Sequence, residues 1–368
     1  MRKQGGARKR APAEPARIGH YEIIERIGVG GMAEAFRAYA RGPGGYQRQV
    51  IVKCILPHLA NDPEFVRLFV AEAKILGMLH HPNVVQVYDF GEHDGRHFLA
   101  LEYLDGPSVE QFRSLILGAR TPMPTGVAAY IAREMCLGLA AAHELCGPDD
   151  EPLGVVHRDV SPSNVLLTSG GEVKLVDFGI AKLGPAGGGT KAGTVRGKPA
   201  YLAPEQILSG PIDRRADIFA TGIVLYEMLT LEPLFRADND LATIYRVLES
   251  PIVPPSQRRP GIPAAVDEIV MRALQRAPDA RYQTATDMAA DLSSFLTTCA
   301  VGREEIAALA STFIKVSQRR KAKAGGDKEV DELPGLGLTE RAAPLPPPPA
   351  PAPRPRRKRS QSVRADSK

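Results

Sequence analysis

The chain has 368 residues, 43% of them hydrophobic and 24% charged, with a formal net charge of +5. That composition excludes an overall disordered chain and fits one large globular domain or two ordinary ones. The positive excess sits at the ends, in Arg2, Lys3, Arg8, Lys9 and Arg10 and again in Arg354, Arg356, Arg357, Lys358 and Arg359, so it says little about the middle.

Residues 1–17 are rich in Arg, Lys, Pro and Gly, a segment expected to lack fixed structure. From Tyr21, "YEIIERIGVGGMAEAFRAYA" alternates apolar and polar residues around a glycine turn, the pattern of a strand hairpin. "QVIVKCI" reads as a third strand. "DPEFVRLFVAEAKILGMLHH" has helical spacing and stops before Pro82. "VVQVYDFGEHDGRHFLALEYL" reads as two further strands turning at Asp94-Gly95. Beyond Gly106 the pattern turns helical. A long apolar helix is expected over Val127–Leu145, then helices in "ADIFATGIVLYEMLTL", "AAVDEIVMRALQ" and "TATDMAADLSSFL", the last ending near Leu296. Residues 303–323 suit one more amphipathic helix. The expected class is α+β: a small β-rich lobe and a larger α-rich lobe over 18–298, a helical extension over 299–324, and a tail over 325–368. In that tail "PLPPPPAPAPRPRRKR" favours polyproline II and cannot build a core.

Cys54, Cys136, Cys146 and Cys299 show no C-x-x-C spacing, so reduced thiols are expected rather than a zinc site or disulfide framework. No apolar run approaches the ~18 residues that span a bilayer. The basic N-terminus lacks the apolar segment of a signal peptide. A cytoplasmic location is the expectation.

Two features bear on chemistry. Gly28-Val29-Gly30-Gly31 lies between two strands, where glycine lets backbone N–H groups approach phosphates; a plain hairpin turn reads the same way. Lys53 ends the apolar run "VIVK", and an interior strand lysine is costly to bury without a partner. Glu72, flanked by apolar residues on the next helix, is that partner. On these two residues alone a structural ion pair is an equal reading.

Further along come "HRDVSPSN" (His157–Asn164), "DFG" (Asp177–Gly179) and "APE" (Ala203–Glu205), in that order after the lysine and the glutamate. Over roughly residues 20–296 the chain therefore resembles the protein kinases. The "HRDVSP" run and the "GK" before "APEQ" look like bacterial, myxobacterial-type Ser/Thr kinases. The resemblance implies a bilobal kinase fold, ATP and Mg²⁺ as cofactors, protein substrates, and phosphorylation of Ser/Thr hydroxyls. It makes Asp159 the catalytic base, Lys53 the holder of the α/β phosphates with Glu72 as its partner, and Asn164 and Asp177 the magnesium ligands. Ile27, Gly28, Val29, Gly30 and Gly31 would cover the nucleotide, with Ala35 and Ile51 as the adenine roof and Leu166 as its floor. Leu101, Glu102, Tyr103 and Leu104 would form the hinge, the Glu102 carbonyl and the Leu104 N–H pairing with adenine. Ser108 stands where a ribose contact is common, and equally reads as a helix N-cap. Leu76, Val87, His157 and Phe178 match an internal stack anchored by Asp217, and Glu205 should pair with Arg281. Arg158 beside the base suggests activation by loop phosphorylation, with Thr190 and Thr194 as candidate acceptors.

Departures from the family pattern are informative. Ala33 replaces a third glycine. Ala35 stands for the usual valine while Ile51 stands for the usual alanine, so bulk is exchanged across one ligand surface. Ser161 occupies the place of a catalytic-loop lysine, and Lys198 that of a threonine before "APE". Lys198 is therefore expected to supply the missing charge, worth roughly 4 kcal/mol at 4 Å and an effective dielectric near 20; the alternative is a solvated loop lysine. A weakly active scaffold is the competing functional reading. The basic tail could meet a partner domain, an acidic surface or anionic lipid, or serve as a solvated linker, and Ser360 and Ser362 beside it are candidate switches. No aromatic residues interleave with its charges, so sequence-specific nucleic-acid reading is not expected.

Overall fold

The computed structural model describes residues 17–179 and 198–324, with side chains through Arg319. Strands β1 (Arg17–Ile18), β2 (Tyr21–Val29), β3 (Ala33–Arg41), β4 (Gln47–Ile55), β5 (Val87–His93) and β6 (Arg96–Glu102) form an antiparallel sheet in the order β1-β2-β3-β4-β6-β5. The expected hairpins are present. Asp94 and Gly95, with φ of 50° and 70°, make the β5–β6 turn, both in the left-handed region that a two-residue hairpin loop of this kind needs. Arg17, placed before the fold by composition, already pairs with Glu22 at the sheet edge. Two residues are too few for a periodic signal.

The pleat gives the sheet two faces. Phe36, Val50, Val52, Phe98 and Ala100 close a small separate core on one side. Pairing of Ala35 with Lys53 and of Ile51 with Leu101 puts all four on the opposite face. Helix α1 (Pro63–Met78) packs beside the sheet. Asp62 caps it by accepting the Glu64 N–H at 3.0 Å, and Pro63 sits in the first turn, where its missing N–H costs nothing.

The loop after α1 is bonded to the second lobe. Asn83 is buried, donates to Glu134 Oε2 and to the Val173 carbonyl at 2.9 Å, and accepts the Leu175 N–H at 2.8 Å. A Cβ at Gly138 would lie 2.8 Å from the Asn83 carbonyl oxygen, so the approach requires glycine there.

The larger part contains α2 (Val109–Gly118), α3 (Thr125–His143), β7 (Val165–Leu167), β8 (Val173–Leu175), α4 (Pro204–Ile207), α5 (Arg215–Thr230), α6 (Asp240–Glu249), α7 (Pro255–Arg258), α8 (Ala264–Ala273), α9 (Ala285–Leu296) and α10 (Arg303–Ala324). Helices α3 and α5 are buried almost all round and form the centre of the main core, contacting each other and α9. α2 and α6 were not expected from periodicity. α2 nevertheless carries a capping box, Ser108 with Gln111, and buries Val109, Phe112, Leu115 and Ile116. α6 buries only Thr243 and Val247, too few for an apolar stripe. α10 coincides with the expected extension and packs on α2 and β7, burying Ile306, Leu309 and Ala310.

The expected Glu205–Arg281 bridge is present and bidentate, with both N···O distances 2.7 Å and the arginine side chain 0% exposed. Arg281 also donates to the carbonyls of Arg215, Gln275 and Arg276, so it ties α4 to α5 and to the approach to α9. Glu205→Ala would leave a buried guanidinium without its counter-charge. A loss of about 3–5 kcal/mol in unfolding free energy is expected, read from the urea midpoint. A loss below about 1 kcal/mol would place the bridge with exposed pairs of little worth.

Candidate active site

Between the lobes lies a cleft of about 940 Å³. Ile27, Gly28, Val29, Gly30 and Gly31 line its upper rim, Ala35, Ile51 and Lys53 its roof, Leu101, Glu102, Tyr103 and Leu104 its back edge, and Leu166 its floor. Asp159, Asp177 and Lys198 stand at the far end with Ser163. In the glycine loop, Gly30 N–H donates to the Ala33 carbonyl at 2.8 Å, which sets the turn. A Cβ at Gly28 or Gly31 would meet nothing within 4 Å, so the loop faces open space wide enough for an anion against its backbone.

Lys53 is the electrostatic pivot. Its Nζ donates to Glu72 Oε1 at 2.7 Å and to Asp177 Oδ1 at 3.2 Å. Burial works against its charge, but the two carboxylates outweigh burial and raise its pKa, so it stays an ammonium. The same ammonium, first among several causes, holds Asp177 below the usual carboxylate range. Burial pushes the Glu72 carboxyl up and Lys53 pulls it back. Asp177 has φ of 55°, a left-handed conformation that costs a non-glycine residue about 1–3 kcal/mol and is sustained by the surrounding bonds.

The catalytic loop hangs on Asp217, a side chain 1% exposed. Its Oδ2 accepts the His157 N–H and a bond from His143 Nε2, and its Oδ1 accepts the Arg158 N–H, all at 2.8 Å. Burial opposes the charge of Asp217, yet these donors outweigh it and lower its pKa. Arg158, at φ of 62°, is thereby fixed in a strained conformation directly before Asp159. The His157 and Phe178 rings lie 4.3 Å apart, Gly179 N–H donates to the His157 carbonyl at 2.8 Å, and Leu76 is buried in the same core. Val87, the fourth member of the expected stack, is half-buried against that core.

Asn164 does not line the cleft itself. Its Nδ2 donates to the Asp159 carbonyl at 2.8 Å and reaches Asp159 Oδ2 at 3.3 Å, while its Oδ1 accepts from Ser163 Oγ at 3.1 Å and keeps a second lone pair for a cation. Asn164 Oδ1 and the Asp177 carboxylate are hard oxygen donors, which fits Mg²⁺; that ion needs only one or two protein ligands beside substrate phosphates. Among the described residues no group of three His, Cys, Asp or Glu is placed to enclose a metal by itself.

Ser108 takes up one of its two expected roles. Its hydroxyl accepts the Gln111 N–H at 3.2 Å as the α2 N-cap, a role that leaves the hydroxyl proton free, so the cap is established and the ribose contact stays an expectation. Thr190 and Thr194 lie outside the described residues. Several partners were not legible in the sequence: Lys174, which binds Glu102 Oε2 at 2.9 Å; His143; and Ser163, which donates to Asn164 Oδ1 at 3.1 Å. Only Ser163 carried a signal, standing inside the "HRDVSPSN" run without an assigned role. Lys198 Nζ donates to Ser161 Oγ at 3.3 Å and also to Ser163 Oγ, so it is bonded to the catalytic loop.

Register confirms that Ala35 and Ile51 share the cleft-facing side of the roof. Ile51→Ala is expected to raise the ATP Michaelis constant about 5-fold, corresponding to roughly 1 kcal/mol of lost apolar contact. A lower constant in a steady-state assay would show instead that the isoleucine obstructs the pocket.

Comparison with known proteins agrees with this geometry. Residues 21–292 match the family model of the protein kinase domain. The chain is 41% identical to the tyrosine-protein kinase MasK of Myxococcus xanthus over 76% of its own length and 43% of the relative's. It is 36% identical to the serine/threonine-protein kinase PknB of Mycobacterium leprae over 74% of its own length and 42% of that protein. It thus spans about two-fifths of the length of these relatives. Among solved structures it is similar to the Mycobacterium tuberculosis PknI kinase domain, with a TM-score of 0.58 and 27% identity, covering 77% of this chain and 99% of that one. With the ordered motifs brought to one cleft and the family model spanning both lobes, the chain belongs to the protein kinase family.

Proposed function

We propose that this kinase transfers the γ-phosphoryl group of ATP to Ser/Thr hydroxyls on proteins, its own activation segment included, as part of bacterial signalling. The observation that carries the reading is the Lys53 ammonium bonded at once to Glu72 and Asp177, in the cleft that Asp159 also lines. Transfer needs the base Asp159 beside that ammonium, whereas binding a nucleotide alone does not.

Lys53 would hold the α/β phosphates, and the glycine loop would close over them. Mg²⁺ held by Asn164 and Asp177 supplies neutralisation of phosphate charge when bound. Asp159 takes the proton from the acceptor hydroxyl as that oxygen bonds to the γ-phosphorus. The bond from this phosphorus to the bridging oxygen breaks, and its electron pair leaves on ADP. Arg158 supports autophosphorylation as a regulatory step. Burial keeps its guanidinium pKa below the usual range, and among the described residues no carboxylate forms an ion pair with it. A phosphate on Thr190 or Thr194 would supply a bidentate partner. Four free cysteines and the need for ATP support a cytoplasmic location.

The name of the MasK relative favours a second reading, a tyrosine acceptor. Labelled ATP with Mg²⁺ and a generic protein acceptor distinguishes these readings, followed by phosphoamino-acid analysis. The wild type is expected to yield phosphoserine or phosphothreonine, and Asp159→Asn to lose about 10²–10⁴-fold in rate, the usual worth of a positioned general base. Phosphotyrosine alone would move the acceptor assignment to tyrosine, and nucleotide binding without any transfer would favour the scaffold.

A further inference from the structure

The far end of the cleft presents two ammonium groups with different commitments. Lys53 is held by two carboxylates. Lys198 is exposed and comes from the segment that precedes Pro199–Tyr201, outside the catalytic loop. It reaches that loop by donating to Ser161 Oγ at 3.3 Å and to Ser163 Oγ, both neutral hydroxyls. Ser161 is fully buried, so its oxygen is a fixed acceptor. Ser161 Oγ and Ser163 Oγ are 3.2 Å apart, Ser163 donates to Asn164 Oδ1, and Asn164 donates to the Asp159 carbonyl. A continuous hydrogen-bonded chain therefore runs from the Lys198 ammonium through a metal-ligand candidate to the base. An ammonium has three donors, so two bonds to serines leave one for an anion.

We propose that Lys198 is a catalytic residue: its ammonium contacts the γ-phosphoryl oxygens and stabilises their charge as the bond to the ADP oxygen breaks and the bond to the acceptor oxygen forms. The proposal rests on the phosphotransfer reading above. Its consequence is specific to this chain, because the cation is delivered by the segment that continues into Tyr201 and Glu205. Tyr201 donates to buried Glu227 at 2.9 Å and Glu205 is bound by Arg281, so the rest of that segment is tied to α5 and to the approach to α9. The serine bonds then set where the charge sits. Transfer-competent charge at the catalytic loop thus depends on this segment being docked, which couples catalysis to the placement of the activation segment.

The test compares wild type, Lys198→Ala, Lys198→Gln and the reciprocal double variant Ser161→Lys/Lys198→Thr, reading kcat, KM for ATP and nucleotide affinity by fluorescence. Loss of this one stabilising group is expected to lower kcat about 10²–10³-fold with KM within about threefold, and the double variant to recover at least about tenfold. Lys198→Gln removes the charge but keeps an N–H donor on a side chain one atom shorter, so the same kcat loss there, with an unchanged melting temperature, separates loss of the ammonium from loss of folding. Wild-type kcat in both single variants, while the wild type itself transfers phosphate, would overturn this inference alone. A loss confined to nucleotide affinity would also overturn it, since the lysine would then act on the ground state. No transfer by the wild type under any condition would instead remove the phosphotransfer reading.

Discussion

Much of this structure depends on one buried carboxylate. Asp217 gives up its hydration to sit inside α5, and that cost is offset only because three donors converge on its two oxygens. Two of the donors are backbone N–H groups of the catalytic loop. The loop therefore cannot shift without leaving a buried charge unsatisfied. Arg158 stays in the left-handed region for the same reason, and Asp159 emerges into the cleft at a point fixed from below. α5 is in turn immobilised by its all-round burial against α3, α8 and α9. Catalytic geometry is thus inherited from core packing through one side chain.

The upper half of the site uses the opposite strategy, in which charges are balanced across separate elements. Lys53 comes from β4, Glu72 from α1 and Asp177 from the segment after β8. Lys53 and Glu72 would each be a costly buried ion alone, and with the more exposed Asp177 beside them the ammonium stays charged. Because the three elements belong to both lobes, the triad also reports their mutual placement. The Asn83 turn supplies the mechanical link, bonding the segment after α1 directly to β8. A rotation of α1 that broke Lys53–Glu72 would have to work against that anchor.

At the far end, charge is distributed with less redundancy. The catalytic loop carries hydroxyls at Ser161 and Ser163, and its nearby cation arrives from a segment 35 and 37 positions away in the chain. Beyond it, Tyr201, Glu227 and Arg113 form a buried network, and Glu205–Arg281 a second one. These networks hold the stretch from Tyr201 to Glu205 against α5 and the approach to α9. The C-terminal helix α10 adds a brace on the other side. Arg303 donates to the Gly170 carbonyl at 2.6 Å and pairs with Glu172, so the extension presses on the β7–β8 turn.

The sequence alone determined the family, the lobe order and most of the cleft. The reasons are local. Strand alternation in 21–55 follows the pleat, the Pro82 stop and Asp94-Gly95 turn are backbone constraints, and motif residues such as Lys53, Asp159 and Asp177 carry charges that only a specific site tolerates. Glu205 and Arg281 could be paired in advance through the resemblance to the protein kinases, and the cost of burying either one alone explains why the bridge is kept. What tertiary structure decided is where neutral or ambiguous groups go. Ser108 had two readings, and the N-cap bond became visible only once α2 formed. α6 shows almost no apolar stripe because its burial is slight. The bonds of His143 to Asp217, Lys174 to Glu102 and Lys198 to the two serines link residues 35 to 74 positions apart. No local periodicity encodes such pairings, because they exist only once packing has brought the elements to hydrogen-bond distance and excluded the water that would otherwise compete for them.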